Sequence, residues 1–286
     1  MGGFEGHLYP GLALFLYGLY HALCASRALI CSRPAQYPLR RPWSGGRWAR
    51  LGQIHYVGLA KLLSACILVV QELHSVQWQL VFLSKKYPQR IFFHRKQWQH
   101  ITLYATFFLS GCADLLSQHL LPRRCPELER GAQALGMALL LPLMVSHLQD
   151  TEGVELRAHG LLTQALFLLM LVAMAELWAP DSPQLWVLKA FLYMLAGSWL
   201  MHMGVTLFKP ISGHRWMDDD QHDVIFVTTF FCWHVVLDAL VILWVYGASS
   251  VWYRYFRGKS GLEEPGVVPC HLAEKVWEAE LPERRT

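Results

Sequence analysis

The chain of 286 residues contains no asparagine, and charged residues make up only 16% of it. Without asparagine there can be no N-glycosylation acceptor, and the NPxxY motif of G-protein-coupled receptors is impossible. Soluble domains carry about 25% charged residues, so the low charge argues against a soluble protein. The seven cysteines form neither a CxxC pair nor a zinc-finger spacing, which argues against a disulfide framework. The net charge of +4 lies mostly in short connectors and does not indicate a nucleic-acid partner.

Long apolar runs dominate the rest of the chain, in which 54% of residues are hydrophobic. A helix needs about 20 apolar residues to cross a bilayer. Seven segments approach that length: 10–30, 54–73, 99–118, 131–148, 160–179, 185–208 and 224–251. In lipid every backbone amide must be bonded internally, so each segment is predicted to be a helix. The predicted fold is therefore an all-α polytopic membrane protein, a bundle of about seven transmembrane helices in residues 1–256. Its fourth span, which contains Gly136 and Pro142, is the weakest.

The orientation follows from the basic residues between the spans. Connectors on the side of the C-terminus carry 14 Lys and Arg residues, and those on the other side carry 8. The positive-inside rule then predicts an N-terminus that is outside or lumenal and a cytosolic C-terminus. Residues 257–286 are polar and are predicted to form a disordered cytosolic tail. The expected surroundings are a lipid bilayer of the secretory pathway or the plasma membrane.

Histidines are the most informative polar residues, because ionisable groups in a membrane are costly and usually face the bundle interior. The chain has 14 of them. Following the direction of the seven spans places five in the same half of the bilayer: His100, His147, His159, His202 and His234. Imidazoles from separate helices can meet there and bind zinc, copper or haem iron. These five are therefore the candidate metal ligands.

Carboxylates extend this polar set. Glu72 lies near the same end of the second span and is a candidate hydrogen-bond partner for a ligating histidine. Asp238 follows His234 by four residues, so the two share one helix face. The deeper candidates for a proton relay are Asp114, Glu176 and His21. A relay through these groups would favour a proton or cation transporter.

The spacing of these residues leaves three functions open. Neither HExxH nor HxxxH occurs, although Asp114, His234 and Asp238 resemble part of the zinc site of seven-helix zinc amidases and adiponectin-type receptors. Polar groups in membranes also simply hold helices together, at about 0.6 kcal/mol each. The absence of a catalytic motif favours a scaffold or trafficking protein that is not an enzyme. The alternatives are a metal- or haem-binding membrane enzyme and a proton or cation transporter.

A set of short motifs runs along residues 1–256. It comprises Gly6–His7, Pro10–Gly11, Trp98–Gln99–His100 with Tyr104, Ser110–Gly111 with Asp114, His147, His159, Gly197 with Trp199, and Phe231–Cys232–Trp233–His234. In this order the set resembles the transmembrane protein 45 family, and most of all its transmembrane epididymal protein branch. The resemblance implies a multi-pass membrane protein with no well-established activity. Protein partners, including a second copy of the chain, stay open.

Overall fold

The computed structural model describes residues 3–30, 56–84, 91–149, 151–211, 213, 216 and 220–259. Seven long helices lie in these ranges: α1 (Phe4–Ile30), α2 (Tyr56–Ser75), α3 (Arg95–Leu115), α4 (Pro126–Leu148), α5 (Gly153–Trp178), α6 (Pro183–Phe208) and α7 (Gln221–Lys259). Two short antiparallel strands, β1 (Leu83–Ser84) and β2 (Ile91–Phe92), pair before α3. A π-helical turn, Leu116–Leu120, continues α3. Each predicted segment coincides with one helix, and the all-α polytopic fold class is confirmed.

Six of these helices, all except α3, are long and apolar enough to cross a membrane. The sequence pattern had favoured α4 as the weakest span, but α4 qualifies, and Pro142 lies inside it without ending it. α3 falls short because its first two turns are rich in polar and charged side chains: Arg95, Lys96, Gln97, Gln99 and His100. It nevertheless packs along both α2 and α4, so it belongs to the bundle.

Several helices are longer than the apolar runs that predict them. α1 begins at Phe4 rather than near residue 10, and α5 begins at Gly153 rather than near residue 160. α7 continues to Lys259, three residues past the boundary expected at 256. Apolar runs measure only the hydrocarbon core, whereas a helix can extend into the headgroup layers on either side. Most of the predicted tail, residues 260–286, lies outside the described residues, as does the basic connector 31–55.

α1 and α6 make the most extensive contact between helices in the described part of the chain. Glycine allows this approach, because a Cβ on Gly197 of α6 would lie 2.6 Å from the carbonyl oxygen of Gly11 on α1. Another on Gly18 would lie 2.6 Å from the backbone nitrogen of Met194. Small residues at helix contacts are typical of membrane proteins, where close van der Waals packing replaces the hydrophobic effect.

The distribution of apolar side chains suits a bilayer. The main core cluster includes Leu169 and Trp199, which are 0% and 1% exposed. Large apolar side chains also point outward, and Leu168 and Trp244 are 50% and 72% exposed. Exposed apolar surface on this scale would be a liability in water, whereas lipid solvates it. The fold therefore places the polar side chains described below inside an apolar shell.

Candidate functional site

A cavity of about 100 Å³ lies inside the bundle, lined by residues of α1 to α6. One end is polar and carries four imidazoles, those of His7, His100, His147 and His159. Each of α1, α3, α4 and α5 contributes one histidine and at least two apolar residues to the lining. On each helix the apolar lining residue farthest from the histidine is seven positions away, and these residues are Leu14, Phe107, Leu140 and Leu166. Seven residues of helix span about 10 Å. The cavity, called here the histidine-lined pocket, is therefore a slot about two helical turns deep with one polar end.

The four imidazoles follow one another across four helices. Ring centroids are 5.5 Å apart for His7 and His159, 5.1 Å for His159 and His147, and 5.6 Å for His147 and His100. The Nε2 atoms of His7 and His159 face one another at 3.4 Å. The structure thus brings together three of the five histidines singled out from the sequence, and it adds His7.

In each of these rings the Nδ1 atom forms a hydrogen bond with an oxygen atom. The Nδ1–H of His159 donates to the Glu155 carbonyl at 2.9 Å, and that of His100 donates to the Glu72 carboxylate at 2.8 Å. The remaining two acceptors are the Gly3 carbonyl oxygen for His7, at 3.3 Å, and Gln99 Oε1 for His147, at 3.2 Å. Carbonyl and carboxylate oxygens only accept hydrogen bonds, so the proton of a neutral ring sits on Nδ1. The hydrogen bond between the Nε2 atoms of His7 and His159 additionally requires a proton on one of these two nitrogens.

A metal centre finds no support in this arrangement. Among the residues that the structure describes, no group of three or more His, Cys, Asp or Glu side chains is placed so that it could hold a metal ion. Zinc takes nitrogen ligands at about 2.0–2.1 Å around a single point, whereas these ring contacts run from one imidazole to the next. The predicted ligand set is therefore split rather than gathered.

The other two candidate ligands, His202 and His234, form a separate pair between α6 and α7. Their ring centroids are 5.0 Å apart, and Trp199 stacks on His202 at 5.3 Å. Ser198 Oγ donates to Asp238 at 2.7 Å and accepts from His234 Nδ1 at 3.0 Å. Asp238 and His234 do share one helix face, as predicted, but they meet Ser198 rather than the pocket.

Two ion pairs lie deeper in the bundle. Lys61 of α2 donates to the Asp114 carboxylate at 2.8 Å and to Ser110 at 3.0 Å. Lys189 of α6 bonds to Glu176 of α5, and both side chains are 3% exposed. These two pairs are called here the buried charge layer. Asp114 and Glu176, predicted as relay groups, therefore each hold a lysine.

Uncharged polar side chains lie between the two ion pairs. The Lys61 ammonium sits 5.0 Å from the centre of the Tyr17 ring, and Tyr17 meets Tyr193 edge-on at 4.8 Å. Gln133 donates to the Tyr193 hydroxyl at 2.7 Å. His21, the remaining relay candidate, packs 4.5 Å from Tyr17. His21 therefore belongs to this deeper region, away from the four imidazoles.

Sequence reasoning missed His7, Lys61 and Lys189. His7 precedes residue 10, where the first apolar run begins, so the run does not mark it as a membrane histidine. The two lysines each stand alone inside an apolar run. The available signal was that a lysine deep in a span needs an anionic partner. Asp114 and Glu176, already noted as intramembrane carboxylates, were the natural partners.

Comparison with known proteins gives relatives along nearly the whole chain. The model of a family of unknown function, DUF716, matches residues 126–247. Transmembrane epididymal protein 1 of Rattus norvegicus is 48% identical over 277 residues, which cover 97% of this chain and 88% of that protein. Transmembrane epididymal protein 1A of Mus musculus is 46% identical, with the same coverage. Transmembrane epididymal protein 1 of Homo sapiens is 45% identical over 83% of this chain and 86% of its own length. These names state a membrane protein and no activity.

Proposed function

Since this chain belongs to the transmembrane epididymal protein family, and its matching family model carries no function, we propose a function from the geometry. The protein is a non-catalytic multi-pass membrane protein of the scaffold or trafficking type that binds a small amphiphile in its histidine-lined pocket. The single observation that carries this proposal is the slot itself, with imidazoles at one end and apolar walls for about two turns beyond.

The shape of the pocket favours a ligand with one hydrocarbon chain. Ligand sites are typically apolar cavities with a few polar groups that fix orientation, and the slot has this character. An engineered cavity of about 150 Å³ binds benzene, so a volume of about 100 Å³ is small. Spread over about 10 Å of depth, it leaves no room for the two chains of a phospholipid, which favours a ligand with a single chain.

The test is photo-crosslinking of purified protein in lipid nanodiscs with a diazirine-bearing single-chain amphiphile. We expect labelled peptides from α1, α4 and α5, competed by the same molecule without the diazirine. Leu166→Trp fills the floor of the slot and should abolish the competed labelling. Leu168→Trp, the same change on the exposed face of the same helix, should leave it intact. Equal labelling of both variants would contradict the proposal.

A second candidate function, proton or cation transport, draws on a different observation. Asp238, Ser198 and His234 form a hydrogen-bonded series, with His202 against it. If this series conducts, protein reconstituted in liposomes should support a flux that His234→Ala and Asp238→Ala together abolish. Thr229→Ala, an exposed change on α7, is the matched control. Flux that survives the double substitution would remove this candidate.

A metal- or haem-dependent enzyme is the third candidate and rests on the histidines alone. Elemental analysis and an absorbance spectrum of purified protein test it, because a working centre requires a near-stoichiometric metal or a haem band. The wider assignment to the transmembrane protein 45 family rests on the short motifs. A homo-oligomer is a further possibility that cross-linking in membranes tests.

Orientation completes the proposal. The polar end of the pocket lies on the side of the N-terminus, which the distribution of Lys and Arg predicts to be outside or lumenal. An epitope tag at the N-terminus should therefore be accessible in unpermeabilised cells or protected in sealed microsomes, and a tag at the C-terminus should face the cytosol. The opposite result would turn the pocket toward the cytosol.

A further inference from the structure

The connection between α2 and α3 presents an exposed aromatic surface outside the helical bundle. The surface belongs to residues 76–84 and 91–94, called here the aromatic strand pair, in which β1 pairs with β2. We propose that the aromatic strand pair docks into the phospholipid headgroup layer of the bilayer, on the side that carries the polar end of the pocket. This surface stands apart from the pocket and its ligand.

Large apolar side chains of the aromatic strand pair point away from the protein. Trp78 and Phe82 are 61% and 55% exposed, and Phe92 and Phe93 are exposed as well. The ring of Phe82 meets that of Phe92 edge-on, with the centroids 5.1 Å apart. Contiguous exposed apolar surface marks an interaction site, and aromatic side chains are enriched where a membrane meets water.

The backbone on both sides of this surface is strained. In the described part of the chain, the non-glycine residues with positive φ are Gln77, Trp78 and His94, at 52°, 63° and 51°. The Trp78 N–H donates to the Leu73 carbonyl at 2.8 Å, so the chain turns sharply where α2 ends. Left-handed conformations cost on the order of 1–3 kcal/mol each and persist where the surrounding structure enforces them. The exposed rings are therefore held in one place.

Hydrogen bonds tie the aromatic strand pair to the start of α3. The Val81 N–H donates to His94 Nδ1 at 3.2 Å, and Trp98 Nε1–H donates to the Val81 carbonyl at 3.3 Å. The Phe93 N–H donates to the Phe82 carbonyl at 3.1 Å. Because α2 and α3 are held in the bundle, the surface between them stays at the level where these helices leave the hydrocarbon.

Both the position and the charge of the connection favour lipid as the partner. Ile67 and Val70 of α2 are exposed along the span that leads to the aromatic strand pair, so its surface continues the lipid-facing surface of the helix. Between Glu72 and Asp114 the sequence has five Lys and Arg residues and no acidic residue. Positive charge beside exposed aromatic rings matches the phosphate groups of lipid heads.

The experiment places the photo-crosslinking amino acid p-benzoylphenylalanine at Phe92, and separately at Trp78, in full-length protein in phosphatidylcholine liposomes. Glu152 is the control position, exposed between α4 and α5 on the same side of the bundle. We expect phospholipid adducts, measured by intact mass, to be at least about fivefold more abundant than at Glu152, because aromatic side chains concentrate at headgroup level. Either of the two positions decides the question if the other variant folds poorly.

Two outcomes would overturn the proposal. Adducts no more abundant than at Glu152 would mean that the surface faces water. Covalent dimers in place of phospholipid adducts would assign the surface to a second copy of the chain.

A charge placed on the surface gives a further test. Phe93→Asp should lower the yield of phospholipid adducts at Phe92 at least about threefold, because a carboxylate resists leaving water. Gln79→Asp, a change at an exposed polar residue of the same connection, should retain the yield. A yield that Phe93→Asp leaves unchanged would contradict docking into the headgroup layer.

Discussion

The histidine-lined pocket and the buried charge layer are two polar regions in one bundle, and they differ in how their polar groups are paired. The imidazoles of His100 and His159 lie roughly 21 and 25 Å along their helices from the charged groups Asp114 and Glu176. In the charge layer the polar groups satisfy each other, Lys61 with Asp114 and Lys189 with Glu176. In the pocket each imidazole bonds through Nδ1 to an oxygen atom, and the Nε2 atoms of His7 and His159 form a hydrogen bond with each other.

The difference separates charged groups that compensate one another inside the fold from imidazoles that line a cavity. A buried charge with its counter-charge completes an interaction inside the protein, and neither partner has much left to offer. The two rings held by backbone carbonyls, His7 and His159, use their other nitrogens to bond to each other and have no counter-charge. The two regions should therefore respond differently to substitution, in stability on one side and in binding on the other.

The largest expected effect is on the charge layer. Lys189→Met leaves the Glu176 carboxylate buried without its counter-charge, so the free energy of unfolding should fall by about 3–5 kcal/mol. The measurement is denaturant titration in detergent micelles, followed by tryptophan fluorescence. The double variant Lys189→Met with Glu176→Gln should recover much of the loss. A single variant no less stable than the double would show that the pair does not hold the fold.

A change between α1 and α6 should affect both regions, because α1 carries His7 and Tyr17 while α6 carries Lys189. Gly197→Ala introduces a Cβ that meets the α1 backbone, so overpacking should cost about 1–3 kcal/mol, and competed labelling of the pocket should weaken with it. Gly160→Ala is the control, since nothing lies within 4 Å of its Cβ position. If Gly197→Ala left both readouts unchanged, the two helices would not position the two regions.

His159→Leu is the corresponding substitution in the pocket, and its effect on stability should be smaller than that of Lys189→Met. His159 bonds through Nδ1 to a carbonyl within α5 and through Nε2 to His7, so its loss should cost about 2 kcal/mol of unfolding free energy, about 1 kcal/mol for each hydrogen bond, and should weaken the competed labelling of the pocket. His222→Leu, at an exposed position near the start of α7, gives the baseline for a histidine replacement. A loss of unfolding free energy as large as that of Lys189→Met would show that His159 mainly stabilises the fold.

The smallest expected effect lies outside the bundle core, where water can reach. Arg124 precedes α4 and donates to Glu129 at 2.9 and 2.7 Å, which raises the pKa of its guanidinium further above the ordinary value. Arg124→Gln should cost about 0.5–1 kcal/mol, and the cost should shrink as salt is added. Unfolding titrations at two ionic strengths check this. A loss that salt does not change would place this pair with the buried charge layer.

Much of the fold was predictable because a bilayer restricts the backbone so strongly. Runs of about 20 apolar residues had to be helices, and each predicted run is part of one. The ends were not predictable in the same way, since Phe4 and Gly153 begin helices in polar surroundings that hydropathy does not register. α3 was predicted as a helix although its start is polar, because the run from 99 onward is apolar enough to suggest one.

The site was predictable only in part. His100, His147 and His159 could be placed together from the direction of the spans. One of their partners was also predicted, since Glu72 was named as an acceptor for a histidine and bonds to His100. The backbone carbonyls of Gly3 and Glu155 could not be predicted, because any residue supplies a carbonyl. The separation of His202 and His234 from the pocket depends on how α6 and α7 rotate, and the directions of the spans leave that rotation undetermined.

The contact between Gly11 and Gly197 has a consequence for biosynthesis. α1 leaves the ribosome well before α6, yet each is the other's main neighbour in the described bundle. At about 5–20 residues per second, synthesis from the end of α1 to the end of α6 takes roughly 10 to 35 s. During that interval α1 lies in the membrane before Gly11 and Gly18 can pack against α6, and it carries the polar side chain of His21. We therefore expect newly made chains to be most exposed to insertion chaperones and degradation before α6 emerges, and C-terminal truncations that remove α6 to be cleared quickly.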